Sequence, residues 1–177
     1  MVRVRSPESW VLAEPRVVER EVEAMRLHAP DMSWVDDLVW LNGRRASGWD
    51  GLAPPWGANR DPPTGLDELL GGRRLHLYVY YPEAFPAVAP VLSPVDPDPP
   101  LARRTDHRWH VNDDGTLCLT QAAADWNPTD TAADLVRKAS GWLIEYLLME
   151  AGDIEEMTER GIFEDMSCDE IISRYRS

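Results

Sequence analysis

Residues 108–128 read RWHVNDDGTLCLTQAAADWNP, and they carry the sharpest local signals in the chain. Asn112, Asp113, Asp114 and Gly115 form a tight polar reversal, in which glycine takes a positive φ at no steric cost. Leu117, Cys118 and Leu119 follow as one short extended stub, and Trp126 and Pro128 close the stretch. A polar turn with His110 and Asn112 a few residues ahead of Cys118 is a setting for a nucleophile. The competing reading is a small buried hydrophobe, the usual fate of a cysteine between leucines. His107, His110 and Cys118 offer three zinc donors, but without the paired spacing of a zinc site. Gly71 and Gly72 run into Arg73 and Arg74 and a strand rather than a helix, which excludes a phosphate-cradling loop.

Downstream, the pattern predicts a long helix over 129–150. Leu135, Ala139, Trp142, Leu143, Tyr146 and Leu147 share a broad face, with Asp134, Arg137, Lys138 and Glu145 largely elsewhere. Thr131 and Asp134 have capping-box spacing, and Asp130 is the alternative cap. Gly141 inside the helix costs about 1 kcal/mol relative to alanine unless something packs closely against it. Gly152 ends the helix, 153–160 reads as a short helix, and 167–175 as another anchored by Ile171 and Ile172. Cys168 has neither a histidine nor a turn beside it and reads as a structural or surface residue.

Upstream, 73–81 is the clearest strand, with Leu75, Leu77, Val79 and Tyr81 alternating against His76, Tyr78 and Tyr80 until Pro82 ends it. Phe85, Val88 and Val91 interleave with prolines as a loop and edge strand would. Residues 93–104, with four prolines, predict a stiff loop facing solvent. Residues 38–41 predict a short strand, Asn42-Gly43 a hairpin turn, and Trp49, Leu52 and Trp56 an irregular second strand. A helical turn is expected over 66–70. Pro15, then Val18, Val22 and Met25 at helical spacing, predict an amphipathic helix that stops near Ala29-Pro30.

The 177 residues are most simply one core domain over 14–150, with a lead or arm over 1–13 and a helical extension over 151–177 packed on the core. A net charge of −13 disfavours nucleic acid and a basic membrane patch, and suits a basic partner. Two cysteines make no disulfide framework, so a reducing, cytoplasmic setting is expected. No apolar run is long enough to span a membrane, and no secretory signal is visible.

Four ordered motifs carry a family resemblance: Tyr81-Pro82 through Phe85-Pro86, then His110 and Asn112, then Gly115-Thr-Leu-Cys-Leu119, then Trp126-x-Pro128. In this order they resemble the catalytic segment of ubiquitin-conjugating (E2) enzymes, over roughly 38–149. The chain looks most like the divergent bacterial E2-like proteins of antiviral defence and ubiquitin-like modification operons. The resemblance implies an α+β, UBC-like fold: an N-terminal helix, an antiparallel sheet of about four strands, an extended active-site loop, a long helix and a helical tail. The span from Tyr81 to Cys118 is longer than the family's. The surplus falls at 96–106, as a decorative loop or as a lid or docking loop.

The resemblance further implies that Cys118 carries a ubiquitin-like protein as a thioester and passes it to an amine. Asn112 matches the asparagine that serves the oxyanion. His110 matches the structural histidine of the same motif. Val111 replaces the family's intervening proline, and Asn112 stands closer to the cysteine than is typical. Asp113 or Asp114 would orient or deprotonate an incoming lysine, or both simply build an Asx turn. Trp126, Pro128, Leu117, Leu119, Tyr81 and Pro82 would frame the pocket. The implied partners are an E1-like activating enzyme, a ubiquitin-like protein or the C-terminus of a nucleotidyltransferase, and a target amine. No metal or organic cofactor is implied. The alternative is a catalytically inactive E2-fold module that binds protein, with a thiol protease a distant third.

Overall fold

The computed structural model describes residues 14–39, 43, 45–119 and 125–176. The lead over 1–13, the end of the first expected strand and Asn42 of the expected turn lie outside the described residues.

Helix α1 (Pro15–His28) leads into strands β1 (Met32–Val39), β2 (Arg45–Leu52), β3 (His76–Tyr80) and β4 (Val91–Asp96), which form one antiparallel sheet in that order. Between β2 and β3 lies the short helix α2 (Leu66–Leu70), closed by Gly71 as expected. After β4 come the helical turn α3 (Leu101–Arg104), a 3-10 turn at His107–Trp109, and the long helix α4 (Ala132–Ala151). The chain ends in a run of 3-10 and α turns from Met166 to Tyr175 that contains α5 (Asp169–Ile172). An N-terminal helix, a four-stranded antiparallel sheet and a long C-terminal-half helix make this an α+β fold, as expected.

Several boundaries differ from the sequence reading, each for a local reason. β1 starts at Met32 rather than at 38. The register slips between Val35 and Leu38, so a bulge absorbs Asp36 and Asp37, which interrupt the alternation. β2 is regular over eight residues because its prolines all fall beyond Leu52. The expected solvent-facing loop over 93–104 begins instead as strand: Leu92, Ser93 and Pro94 are buried. A proline fits there because β4 ends the sheet and needs no ladder donor on its open side. α4 starts at Ala132, not at 129, because Asn127 accepts a bond from the Thr129 backbone and holds a turn. Its capping box joins Thr131 to Asp134. Residues 153–160 form turns rather than the expected helix. Their backbone donors go elsewhere, with Met157 N–H bonding Arg108 O at 3.1 Å and Thr158 N–H bonding Glu145 Oε1 at 2.8 Å.

α4 is buried on nearly every side. The tail reaches it across Gly141, where an added Cβ would lie 2.9 Å from Ile162 Cγ2 and 3.3 Å from the Phe163 ring. The glycine therefore allows close approach of the tail, and Met157, Ile162, Cys168 and Ile172 join the core there.

A buried chain of hydrogen bonds meets the first turn of α4. Trp49 Nε1 donates to Tyr81 Oη at 2.9 Å, and Tyr81 Oη donates to Glu21 Oε2 at 2.9 Å. Glu21 Oε2 also accepts from the Ala132 N–H at 2.9 Å, so a residue of α1 caps the first turn of α4. Burial pushes the Glu21 carboxyl up and the Tyr81 phenol well up, which keeps Tyr81 a donor.

Truncation by Glu21→Ala removes the acceptor that Tyr81 and the Ala132 N–H share and should cost about 3 kcal/mol in denaturant unfolding. Because folding raises the Glu21 pKa, the proton is held more tightly in the folded state, and the associated stability is lost as pH rises through the folded value. Glu21→Gln keeps the acceptor without the charge, so its stability relative to wild type should climb as pH rises above the ordinary glutamate value of 4.5. A pH-independent difference would contradict this. Gly141→Ala would add about 1 kcal/mol in an exposed helix. Here it should be net destabilising, because Ile162 is fully buried and lacks room to yield.

Candidate functional site

The segment around Cys118 folds as a small hairpin. Val111 and Leu117 form an antiparallel bridge and point into the core. Cys118 N–H bonds His110 O at 2.9 Å, Asn112 N–H bonds Thr116 O at 2.8 Å, and Gly115 N–H bonds Asn112 O at 2.8 Å. Gly115 takes φ 88°, as the turn requires. The Arg104 guanidinium lies against it, 2.9 Å from where a Cβ would be, and is itself held by Pro99 O and Asp98. The surplus residues expected at 96–106 thus brace the turn through α3. Leu117 N–H bonds Leu92 O at 2.9 Å, which docks the hairpin on the free side of β4.

Strand alternation puts Asn112, Thr116 and Cys118 on the face away from Val111 and Leu117, and His110, with a left-handed backbone, lines the same hollow as Cys118. The Asn112 amide donates to Thr116 Oγ1 at 2.9 Å. Asp114 Oδ1 accepts from Thr116 N–H at 3.0 Å and from Thr116 Oγ1 at 2.6 Å, the Asx-turn role weighed for it. Asp113 is exposed at the same turn. Three of the residues expected to perform chemistry therefore build the turn, with the Asn112 amide engaged there rather than aimed at the thiol.

Cys118 is exposed and His110 half-buried, and both line a hollow of about 100 Å³. The hollow lies between the hairpin, the middle of α4 and the tail at 159–164. Its apolar walls are Leu119, Gly141, Trp142, Ile162 and Phe163, with Lys138 and Glu145 among its polar groups. Trp142 Nε1 donates to Trp109 O at 2.9 Å, which fixes α4 against the approach to the hairpin. Burial, then the neighbouring His107, lowers the His110 pKa and favours the neutral imidazole. Glu145 is buried beneath the hollow, its Oε1 taking both Thr158 donors at 2.8 and 2.6 Å, and burial pushes its pKa up. A second depression, lined by Gly57, Asn59, Arg137 and others, shares Lys138, Phe163 and Glu164 with the first. The two form one trench across α4.

Of the residues expected to frame the pocket, the structure brings Leu119 to the hollow. Leu117 faces the core. Tyr81 belongs to the Glu21 chain. Trp126 packs beside Phe85 and donates to Pro86 O at 2.8 Å, while Pro128 O accepts from Arg20. Pro82 lies outside the residues lining the hollow. The sequence reading missed the tail as a wall, and placed Glu145 on a polar face although it is 2% exposed. Among the described residues, no group of three His, Cys, Asp or Glu is arranged to hold a metal, and no helix is long and apolar enough to cross a membrane.

No protein-family model and no curated protein matches the sequence. Among solved structures, the fold is similar to that in a complex of the Vps23 UEV with ubiquitin. Identity is 12%, 72% of this chain and 81% of that chain are covered, and the TM-score is 0.45. The likeness is distant and concerns the fold alone. The structure resembled is a ubiquitin E2 variant rather than a conjugating enzyme. This finding overturns the expected thioester transferase. It agrees better with the alternative weighed beside it, a catalytically inactive binding module.

Proposed function

We propose that the chain is a noncatalytic E2-fold module that binds a ubiquitin-like protein, acting in the reducing environment of the cytoplasm. The observation that carries this reading is the trench across α4, with an apolar hollow at one end and the exposed face of the Cys118 hairpin beside it. A groove with rigid walls and a few polar groups is suited to recognition. Its walls are fixed from three sides, by Arg104 against Gly115, by Trp142 on Trp109 O, and by Ile162 over Gly141. The residues that a transfer reaction would call on are meanwhile committed to the turn, Asn112 and Asp114 both to Thr116. In this reading Leu119 and the residues around the hollow contact the partner, and Cys118 contributes surface rather than chemistry.

The test is a titration of the isotope-labelled protein with ubiquitin and with ubiquitin-like proteins, followed by amide NMR. Binding should perturb Leu119, Gly141 and Phe163, survive Cys118→Ala within about twofold, and weaken at least tenfold, about 1.4 kcal/mol, in Leu119→Asp. Loss of binding in Cys118→Ala, or shifts that avoid the trench altogether, would contradict the reading.

A further inference from the structure

Lys138 is the only lysine in the sequence; the other basic residues among the 18 are arginines. Several of those arginines are tied to carboxylates, as in Arg60–Asp169, Arg74–Asp31, Arg103–Glu150 and Arg108–Asp106. Lys138 is exposed, and it lines the hollow beside Cys118 as well as the depression that continues from it. The two cationic side chains differ in chemistry. A guanidinium stays protonated and does not acylate at neutral pH, whereas an ε-amine is a target of acylation. The fold therefore sets the chain's single side-chain amine at the lip of an apolar hollow.

We propose that Lys138 is an acylation site, with the hollow binding the acyl group of a small thioester donor. The uncharged Nζ attacks the thioester carbonyl, the N–C bond forms, and the C–S bond breaks. The products are an amide on Lys138 and a free thiol that leaves with the donor's remainder. The amine's proton passes to a base, and His110, which lines the same hollow and favours its neutral form, is the imidazole placed there. Leu119, Trp142 and Phe163 would cover the acyl chain, and a hollow of about 100 Å³ suits a short chain better than a long one. Acylation would remove the lysine charge from the trench and place an apolar group there. This step needs neither a ubiquitin-like partner nor a thioester on Cys118, so it stands apart from the binding function.

The test treats the full chain with the acetyl and butanoyl thioesters of N-acetylcysteamine and follows adducts by intact mass and peptide mapping. In the folded chain, butanoyl transfer to Lys138 should exceed acetyl transfer roughly tenfold, the discrimination that extra methylenes give in an apolar pocket. The preference should disappear in urea and shrink in Leu119→Ala. Lys138→Arg should remove the adduct. His110→Asn, which tolerates the left-handed backbone at this position, should slow both donors and leave their ratio intact. Equal rates for the two donors, or a folded chain no more selective than the unfolded one, would overturn the proposal.

Discussion

A single buried carboxylate joins the parts of this fold that sequence distance keeps apart. Glu21 of α1 accepts from Tyr81, at the end of the third strand, and from the first amide of α4. Tyr81 in turn accepts from Trp49 of β2. Helix, sheet and long helix thus meet at one oxygen, where a buried donor left unpaired costs far more than an ordinary hydrogen bond contributes. Beside it, Arg20 holds Pro128 O and Asp130 O, the residues leading into α4. The start of α4 is thereby held against α1.

Midway along α4, Gly141 and Glu145 do for the tail what Glu21 does for α1. The missing Cβ lets Ile162 and Phe163 settle on the helix, and the Glu145 carboxylate gathers the Thr158 donors. The tail then becomes the third wall of the hollow, facing the hairpin. The hollow is the gap left where the hairpin and the tail meet α4, and the loop at 57–60 continues it as the second depression. Both anchors are carboxylates with raised pKa values, so mild acid relieves their charge cost while leaving them as acceptors.

Much of the fold was legible because it rests on local rules. Alternation marked β3, Thr131 and Asp134 marked the start of α4, and the polar run at 112–115 marked the hairpin turn. The failures arose where a partner distant in sequence overrides the local pattern. Two aspartates hid β1 because a bulge there is decided by its partner strand. Pro94 hid β4 because a sheet's outermost strand tolerates what an inner one does not. Glu21 went unread in the helix of Val18, Val22 and Met25, because nothing local names Tyr81 or Ala132 as its partners. At the candidate site, the motif located Cys118 and His110 on one surface. It could not indicate that the Asn112 amide bonds Thr116, since that depends on the exact turn geometry, nor that residues 159–164 return to form a wall.

The central claim is that the Cys118 hairpin serves recognition and not thioester chemistry. Its most direct test is nonreducing intact-mass analysis of the purified chain after incubation with an active E1, ubiquitin and ATP, alongside Cys118→Ala. The account predicts no thiol-sensitive adduct on either protein. A ubiquitin adduct on Cys118 that a reductant removes, absent from the alanine variant, would contradict it.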